Sequence, residues 1–254
     1  MFLISLKKIK KAIGVVDLGY FTLRISRCPL HGKSLFVRLN NTLLGIRCVI
    51  CGAAPIATSI TSVLIKIEPD FKNKKIYELS AGGPFFEFLK RNVEHLTFSE
   101  YYDNVNRGDI NNGVMCQDVE HLTFDDAQFD ICTCTEVFEH VPNDKKGFEE
   151  IFRVLKDKGI FIFTVPLQNS AHTVTRALRK ENEIVHVLEP QYHDDSIRGT
   201  NKVLVFRDYG HDIASKLIEA GFSRVGIFTE LDCAGFGHKK EVIVAHKNPI
   251  CGST

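Results

Sequence analysis

The chain has 254 residues, of which 44% are hydrophobic and 25% charged, with eight Cys and no Trp. These proportions are typical of a globular protein and exclude a collagen-like, mucin-like or largely disordered chain. The net charge of +1 conceals an asymmetry, because residues 1–66 carry ten Lys and Arg against a single acid, Asp17, for a net +9, and residues 67–254 carry −8. This division predicts a basic N-terminal segment, 1–66, followed by a separate domain over 67–254.

The N-terminal stretch, residues 1–11, reads MFLISLKKIKK. Its apolar residues precede its lysines, which is the reverse of a secretory signal, and no run of about 18 uncharged apolar residues follows that would span a membrane. We therefore expect a cytoplasmic protein. Leu6, Ile9 and Ile13 have helical spacing. That spacing fits a basic amphipathic helix that touches a membrane or nucleic acid, or a helix docked on the protein's own core, which is the interpretation we favour.

Two short motifs in the basic segment have the same form: residues 28–32 read CPLHG and residues 48–52 read CVICG. Each places two soft metal ligands three positions apart and follows the second with Gly, which supplies the positive φ of a tight turn. Sixteen residues separate the pairs, a spacing typical of zinc ribbons. We predict a structural zinc site, within a small module over about residues 24–56, formed by Cys28, His31, Cys48 and Cys51.

Two other interpretations of these cysteines stay open, namely buried reduced thiols and a redox Cys-x-x-Cys, whereas a disulfide is not expected in a cytosolic protein.

Between the ligand pairs, Leu35–Leu39 and Leu43–Arg47 are predicted to form a hairpin that turns at Asn40-Asn41. Cys132 and Cys134 alternate with threonines and are predicted to be small core residues.

From Lys74 onward, short apolar strands alternate with helical stretches. The predicted strands cover residues 76–79, 96–100, 113–118, 129–135 and 160–165. Predicted helices begin at Pro84, as the first helical residue, and cover Asp144–Leu155, where Lys158-Gly159 follows as the stop signal. This alternation predicts an α/β fold with a mostly parallel, doubly wound sheet, in which ligands bind at the carboxyl ends of the strands.

The region after Pro166 is predicted to complete the sheet. Its predicted elements are a helix over Thr173–Lys180, a strand over Ile184–Leu188, a polar loop over Gln191–Asn201, a helix over His211–Ala220, and strands over Val225–Thr229 and Glu241–Ala245.

Two features indicate which ligand binds at the strand ends: a turn of small residues, Ser80–Gly83, and Glu100 at the end of the second strand. An acid about 20 residues beyond such a turn is where a carboxylate binds a ribose diol. A dinucleotide pyrophosphate would need a G-x-G-x-x-G loop, which residues 80–85 do not supply. S-adenosylmethionine has no phosphate and tolerates a sparser loop, so the pattern favours this cofactor.

Several motifs point to one family: YELSAGG, SEYYD, CQDVEHLTF, FDICTCTEVFEHV and FRVLKDKGIFIFTVP. Together they make residues 77–167 resemble a class I S-adenosylmethionine-dependent methyltransferase of the methyltransferase 11 type. The later PQYHDD and LVFRDYGHDIASKLIEAGF are similar to a subgroup with an N-terminal Cys-rich ribbon. The resemblance implies a seven-stranded Rossmann-like sheet, with an acceptor-pocket insertion over about 167–210.

The resemblance also implies roles for individual residues. Glu78, Ser80 and Gly82 would lie at the methionine end of the cofactor, Glu100 would hold the ribose hydroxyls, and Asp118 and Val119 would bind the adenine. Glu136 and His140 would lie at the mouth where the acceptor approaches. Ser80 and Pro84 stand where the family usually has glycines, and His31 where a ribbon Cys is usual. From the residues alone, Glu100 and Asp118 are also explained as strand-end acids that cap turns.

The reaction implied is an in-line displacement at the sulfonium methyl, in which the protein mainly aligns the two reactants. An oxygen acceptor also requires a general base, for which we predict His140 first and His193 second, the latter beside Asp194 and Asp195. A purely structural role for either histidine stays open.

We expect a small-molecule or glycan acceptor, methylated on oxygen. The sequence lacks the Asn/Asp-Pro-Pro-aromatic tetrapeptide of many amino-group methyltransferases and the Pro-Cys pair of cytosine-carbon methylation. Two alternatives stay open: an RNA methyltransferase that uses the basic residues 1–66, and a non-catalytic binding protein on the same scaffold.

Overall fold

The computed structural model of the protein describes residues 16–181, 183–193, 202–229 and 234–248. The predicted amphipathic helix with Leu6, Ile9 and Ile13 lies outside the described residues, as do Asp194 and Asp195. Among the helices within these ranges, none is long and apolar enough to cross a membrane.

The N-terminal part of the described chain is a three-stranded antiparallel sheet, which we call the ribbon: β1 (Thr22–Cys28), β2 (Gly32–Arg38) and β3 (Ile46–Cys48). The predicted hairpin is formed by β2 and β3, with Phe36 opposite Cys48. Its connection is longer than predicted, because Asn40 Oδ1 accepts hydrogen bonds from the amide and the hydroxyl of Thr42, and a short 3-10 turn over Leu43–Gly45 follows.

Helix α1 (Pro55–Ile67) follows the ribbon, and Pro55 occupies its first turn, where a missing N–H leaves no bond unmade. The buried face of α1 belongs to one hydrophobic cluster with apolar residues of the ribbon and of the large sheet. Members from the three parts are Phe36, Ile60, Leu64, Ile162 and Val244. The ribbon and the large sheet therefore share a continuous core through α1.

The strands after the ribbon are, in chain order, β4 (Lys75–Glu78), β5 (His95–Glu100), β6 (Ile110–Asn111), β7 (Val114–Cys116), β8 (Phe129–Thr135), β9 (Leu155–Thr164), β10 (Val174–Thr175), β11 (Ala177–Lys180), β12 (Glu183–His186), β13 (Tyr192–His193), β14 (Val203–Leu204), β15 (Arg207–Asp208), β16 (Arg224–Thr229) and β17 (Glu241–His246). The described helices after α1 are α2 (Gly83–Asn92), α3 (Asp144–Val154) and α4 (Ile213–Glu219).

The large sheet has the strand order β16-β17-β9-β8-β4-β5-β7-β6. The neighbours from β9 to β7 are parallel, whereas β17 runs antiparallel to both β9 and β16. The two-residue strand β6 adds an antiparallel edge to the seven strands expected. The predicted doubly wound, mostly parallel α/β fold is confirmed, and its winding reverses between β4 and β8, the place where such sheets bind ligands.

The helix predicted over Thr173–Lys180 is wrong. This segment forms β10 and β11, which pair antiparallel with β15 and β12 respectively. Ala177 is fully buried while the next three residues of β11 are exposed. Pairing of β11 with β12 in a hairpin, and of β10 with the distant β15, therefore overrides the helix propensity of the Ala-Leu-Arg-Lys run.

The predicted boundary between the third described helix and the next strand is also wrong. Strand β9 begins at Leu155, immediately after α3, and Lys158-Gly159 lies inside it rather than ending a helix. Lys158 has a φ of 64°, and the register of β9 with β8 shifts at this place. The Gly and the positive φ thus mark a bulge in a strand, a signal that resembles a helix stop in the sequence.

The face of the sheet covered by α3 and α4 has an aromatic core. The rings of Phe138 and Phe148 stack with centroids 4.4 Å apart, and those of Phe161 and Phe163 stack at 4.2 Å. All four side chains are fully buried, and Cys132 and Cys134 are buried beside them, as predicted for small core residues.

Truncating this core tests its contribution to stability. We expect Phe148→Ala to lower the free energy of unfolding by about 3–5 kcal/mol, because it removes a buried ring and leaves a cavity against Phe138. Urea unfolding followed by circular dichroism measures the change. Ile218→Ala on α4, whose side chain is 48% exposed, is the control and should change the stability little. Equal effects of the two substitutions would contradict this packing.

Candidate functional site

A cavity of about 490 Å³ lies at the carboxyl ends of the parallel strands β4, β5, β7 and β8. Most of the residues predicted to bind the cofactor or to act in catalysis line it: Ser80, Glu100, Asp118, Val119, Glu136, His140 and His193. Glu78 and Gly82 are not among its lining residues. The strand ends thus bring together side chains that are far apart in the sequence.

Glu100, the last residue of β5, lies against the turn between β4 and α2. One of its carboxylate oxygens accepts a hydrogen bond from the Ala81 amide at 3.4 Å, and the other accepts one from the Tyr101 amide at 3.3 Å. Both bonds hold the carboxylate at the cavity wall beside the amides of the turn.

Asp118 and Val119 follow β7 and form the next part of the wall. Asp118 Oδ1 accepts a hydrogen bond from the Glu120 amide at 2.9 Å, so this acid does cap a turn. The same side chain also borders the cavity, next to the largely buried Val119. The capping role and a place in a binding site are therefore compatible in Asp118.

The turn itself begins with Ser80, which lines the cavity, and leads into α2 through Gly82 and Gly83. Gly83 has a φ of 85°, a conformation that Gly adopts without strain. Pro84 is the second residue of α2, one position later than predicted, because Gly83 already has helical hydrogen bonding.

Glu78 is fully buried beneath this turn rather than exposed to the cavity. The Thr133 hydroxyl of the neighbouring strand donates a hydrogen bond to Glu78 Oε2 at 2.5 Å. Burial raises the pKa of Glu78 well above its usual value, and the nearby charge of Glu100 raises it further. Glu78 therefore links β4 to β8 under the cavity floor.

Glu136 directly follows β8 and has a φ of 52°, which is uncommon for a residue other than Gly. Its Oε1 lies 3.0 Å from Lys240 Nζ, and Lys240 also donates a hydrogen bond to the Val165 carbonyl at 2.6 Å. Lys240 is only 6% exposed. Sequence reasoning missed this buried ion pair, because nothing in the residues around Lys240 indicates burial.

His140 and His193, predicted as alternative bases, lie side by side. Their rings meet edge to face with centroids 5.0 Å apart. His140 Nδ1 is 2.8 Å from the Leu204 carbonyl oxygen. A carbonyl oxygen only accepts hydrogen bonds, so Nδ1 carries a proton and His140 is oriented with Nε2 toward its other neighbours.

Both histidines face Glu139, a residue that sequence reasoning did not select. Glu139 Oε1 is 3.7 Å from His140 Nε2 and 3.8 Å from His193 Nδ1. Burial raises the pKa of the Glu139 carboxyl well above its usual value, and the Glu136 charge raises it further. The only sign in the sequence that Glu139 could belong to the site was its position next to His140. That position does not indicate which way the Glu139 carboxylate points.

Among the described residues between Pro166 and Tyr209, those that line the outer side of the cavity come from β11 to β14 and the residues beside them. Arg179 and Ile184 of the β11–β12 hairpin line it, and Arg179 forms an ion pair with Glu120. The Arg207 guanidinium donates hydrogen bonds to the carbonyls of Phe138, Val141 and Pro142. These bonds fasten the covering strands to the 3-10 turn Phe138–His140, which carries Glu139.

A second cluster lies in the ribbon, where the structure brings the four predicted metal ligands together. The ligand atoms of Cys28, His31, Cys48 and Cys51 all lie within 4.8 Å of one another. Cys28 Sγ is 3.8 Å from Cys51 Sγ, and His31 Nε2 is 3.1 Å from Cys48 Sγ. These separations suit a tetrahedral ion with bonds of about 2.0–2.3 Å.

The turns of the ribbon have the predicted form. Gly32 and Gly52 follow the second ligand of each pair, with φ of 101° and 73°.

Burial raises the pKa of the Cys28 thiol. Burial also opposes ionisation of Cys48, but hydrogen bonds with Ser34 and His31 outweigh it and lower the pKa of Cys48 to about 6. One thiolate is thus favoured at neutral pH before any ion binds.

Comparison with known proteins identifies the central part of the chain. Residues 79–163, which include the turn, both strand-end acids and the helix α3, match the family model described as a methyltransferase domain. The chain contains a methyltransferase domain. The resemblance of residues 77–167 to a methyltransferase is thereby confirmed.

Curated relatives match over the same part of the chain. The ubiquinone biosynthesis O-methyltransferase of Coxiella burnetii is 33% identical over 107 residues, which cover 39% of this chain and 46% of that protein. An uncharacterized protein of Methanocaldococcus jannaschii is 31% identical over 112 residues, 43% of this chain and 48% of that protein. The chain spans about half the length of the curated relatives it matches.

A solved structure is similar to this protein in fold over more of the chain than the curated relatives match. The 1,6-didemethyltoxoflavin-N1-methyltransferase of Burkholderia thailandensis, with bound 1,6-didemethyltoxoflavin and S-adenosylhomocysteine, superposes with a TM-score of 0.51 at 12% identity. The match covers 85% of this chain and 96% of that chain. The methyltransferase domain of this protein therefore has the fold of that enzyme.

The buried carboxyl of Glu78 gives a prediction for the pH dependence of stability. Its pKa in the folded protein lies above the ordinary value of 4.5, so the folded state holds the proton more tightly than the unfolded chain does. Its contribution to stability is fully present below about pH 4.5 and is lost as the pH rises toward the folded pKa. We expect the free energy of unfolding of the wild type to fall relative to that of Glu78→Gln as the pH rises above about 4.5.

Urea unfolding at a series of pH values measures this difference. Glu183→Gln, at an exposed position of β12, is the matched control and should follow the wild type at every pH. A difference between Glu78→Gln and the wild type that does not change with pH would show that the Glu78 proton is held equally in both states.

Proposed function

We propose that the protein is an S-adenosylmethionine-dependent methyltransferase that acts on a small-molecule or glycan acceptor, at an oxygen atom. The observation that carries this proposal is the meeting of Ser80, Glu100 and Asp118, from the ends of three parallel strands, with Glu136 and His140 in one cavity. When bound there, S-adenosylmethionine would supply an electrophilic methyl group.

The chemistry of the cavity wall supports this cofactor. Glu100 would accept hydrogen bonds from the hydroxyls of a ribose, and Asp118 with Val119 would contact the amino group and face of an adenine. Glu100 and Asp118 bring negative charge to the wall, which would repel a pyrophosphate and attract a sulfonium cation. The acids of the wall thus favour S-adenosylmethionine over a dinucleotide.

The volume of the cavity and the residues across its mouth support a small acceptor molecule. A volume of about 490 Å³ is within the range of small-ligand sites, and the β11–β12 hairpin with Leu204 of β14 covers part of its mouth. His140 donates its Nδ1–H to the Leu204 carbonyl, so Nε2 is the nitrogen that would take a proton from a hydroxyl. The Coxiella burnetii relative, named as an O-methyltransferase, agrees with an oxygen acceptor.

We also propose that the ribbon holds a structural zinc ion through Cys28, His31, Cys48 and Cys51. Four protein ligands complete a tetrahedral zinc site and leave no position for water, which makes the role structural. The three-stranded ribbon supplies few core residues of its own, so the ion would stabilise its turns.

Part of the basic character of residues 1–66 serves the fold. The Arg24 guanidinium lies 4.9 Å from the centre of the Phe236 ring and donates a hydrogen bond to the Gly235 carbonyl. Arg38 lies 5.0 Å from the centre of the Tyr20 ring. These cation–π contacts connect the ribbon internally and to the segment before β17.

The role proposed for Glu100 is tested by cofactor binding. We expect Glu100→Gln to weaken the binding of S-adenosylmethionine by about 10- to 100-fold, the effect of losing charge-assisted hydrogen bonds to the ribose. Isothermal titration calorimetry measures the affinity. Glu94→Gln, at an exposed position just before β5, should leave it unchanged. An unchanged affinity in Glu100→Gln would overturn this assignment, and no binding to the wild type at millimolar cofactor would overturn the proposed function.

The zinc content of the purified protein tests the ribbon site. We expect at least about one equivalent of zinc per chain, and its loss together with a lower unfolding temperature after chelation, because binding to the folded state adds to stability. Cys51→Ser should release the ribbon's zinc, whereas Cys116→Ser, at a buried thiol outside the ribbon, should retain it. Less than half an equivalent in the wild type would contradict the site.

A further inference from the structure

We propose that Glu139, His140 and His193 form a second metal site, for a divalent first-row transition ion, beside the predicted methyl-transfer site. Each of the three residues offers one ligand atom, and these atoms all lie within 4.8 Å of one another. The site is separate from the four ligands of the ribbon. Metal binding by these residues does not depend on the proposed function.

The first support is the state of Glu139. Its side chain is 1% exposed, and neither carboxylate oxygen has a hydrogen-bond partner among the residues that the structure describes. A buried carboxylate without such partners is strongly destabilising unless a cation or a proton compensates it. Lys240 lies 3.0 Å from Glu136 Oε1, so that ammonium group already interacts with another acid.

The second support is the geometry of the histidines. Ligand atoms bound to one ion by bonds of about 2.0–2.1 Å in tetrahedral geometry are about 3.4 Å apart. Glu139 Oε1 lies 3.7 Å from His140 Nε2 and 3.8 Å from His193 Nδ1, so small side-chain rotations would bring all three to bonding distance.

The third support is the hydrogen bond that orients His140. Its Nδ1–H donates to the Leu204 carbonyl at 2.8 Å, the outer contact that metal-bound histidines typically make. In the neutral ring with this proton position, the Nε2 lone pair faces a carboxylate oxygen. Two such acceptors repel each other unless a cation or a proton lies between them.

The donor set defines the class of ion. Two imidazole nitrogens and one carboxylate oxygen suit Zn²⁺, Fe²⁺, Co²⁺ or Ni²⁺ better than Mg²⁺ or Ca²⁺, and three protein ligands leave positions open. His140 and His193 line the cavity, so an open position would face an acceptor. Bound there, a hydroxyl of the acceptor would release its proton to solvent more readily, and the ion would take the place of His140 as the activating group, because its Nε2 would then be a ligand. This last consequence rests on the proposed function.

A competing arrangement gives the same distances. If His140 or His193 is protonated, an imidazolium–carboxylate ion pair replaces the metal ion. The two arrangements differ in metal content and in their response to removal of His193, because the ion pair of His140 with Glu139 needs no second histidine.

The test uses the full chain, freed of metal by chelation and titrated with Co²⁺ at neutral pH. Cobalt held by thiolates has an intense sulfur-to-metal charge-transfer absorption, which cobalt held by nitrogen and oxygen lacks, so the spectrum separates the ribbon from the second site. We expect about two equivalents of Co²⁺ per wild-type chain, one of each kind. Glu139→Gln and His193→Ala should bind the second equivalent at least about tenfold more weakly while retaining the thiolate band.

Glu183→Gln and His186→Ala are matched controls, since both residues are exposed on the nearby strand β12, and they should bind cobalt as the wild type does. The retained thiolate band and the circular dichroism spectrum report that a variant is folded. Equal cobalt binding by Glu139→Gln, His193→Ala and wild type would overturn the proposal, as would a wild type without the nitrogen- and oxygen-held equivalent, which would favour the ion pair. Cofactor binding by calorimetry distinguishes this failure from failure of the proposed function.

Discussion

The position of β4 between β5 and β8 is the constraint on which the rest of the structure depends. Parallel pairing on both sides of β4 buries its residues and reverses the winding of the chain at this point. All the turns that follow these strands must then open at one edge of the sheet. Ser80, Glu100, Asp118 and Glu136 meet in a single cavity for this reason, although each belongs to a different turn.

The burial of carboxylates is the main electrostatic cost of this arrangement. Glu78 and Glu139, the two most buried, are stabilised in different ways. Glu78 receives a hydrogen bond from Thr133, its register partner on β8, so the sheet itself satisfies it. Glu139 lies on a 3-10 turn outside the ladder and has two histidines as its neighbours instead. Glu78 therefore combines a raised pKa with a hydrogen bond from the sheet, whereas Glu139 has no such bond among the described residues and depends on a proton or a cation.

The covering strands between Pro166 and Tyr209 complete the site because they are anchored to the same 3-10 turn. Arg207 binds three carbonyls around this turn, and the Phe206 amide donates a hydrogen bond to the Glu139 carbonyl. Leu204 consequently lies where its carbonyl orients His140, and His193 lies against the same carboxylate. The anchoring couples the mouth of the cavity to His140 and His193.

The sequence by itself determined the doubly wound sheet, the strands β4, β5 and β8 to within a residue, and the grouping of three cysteines and a histidine in the ribbon, because these depend on local periodicity, Gly turns and short spacings. It did not determine the strands over 174–180, whose residues favour a helix until β12 and β15 pair with them. Nor did it indicate the burial of Glu139 and Lys240. Burial and charge pairing across long sequence separations are decided only when the tertiary structure brings the elements together, since they depend on neighbours that no local pattern encodes.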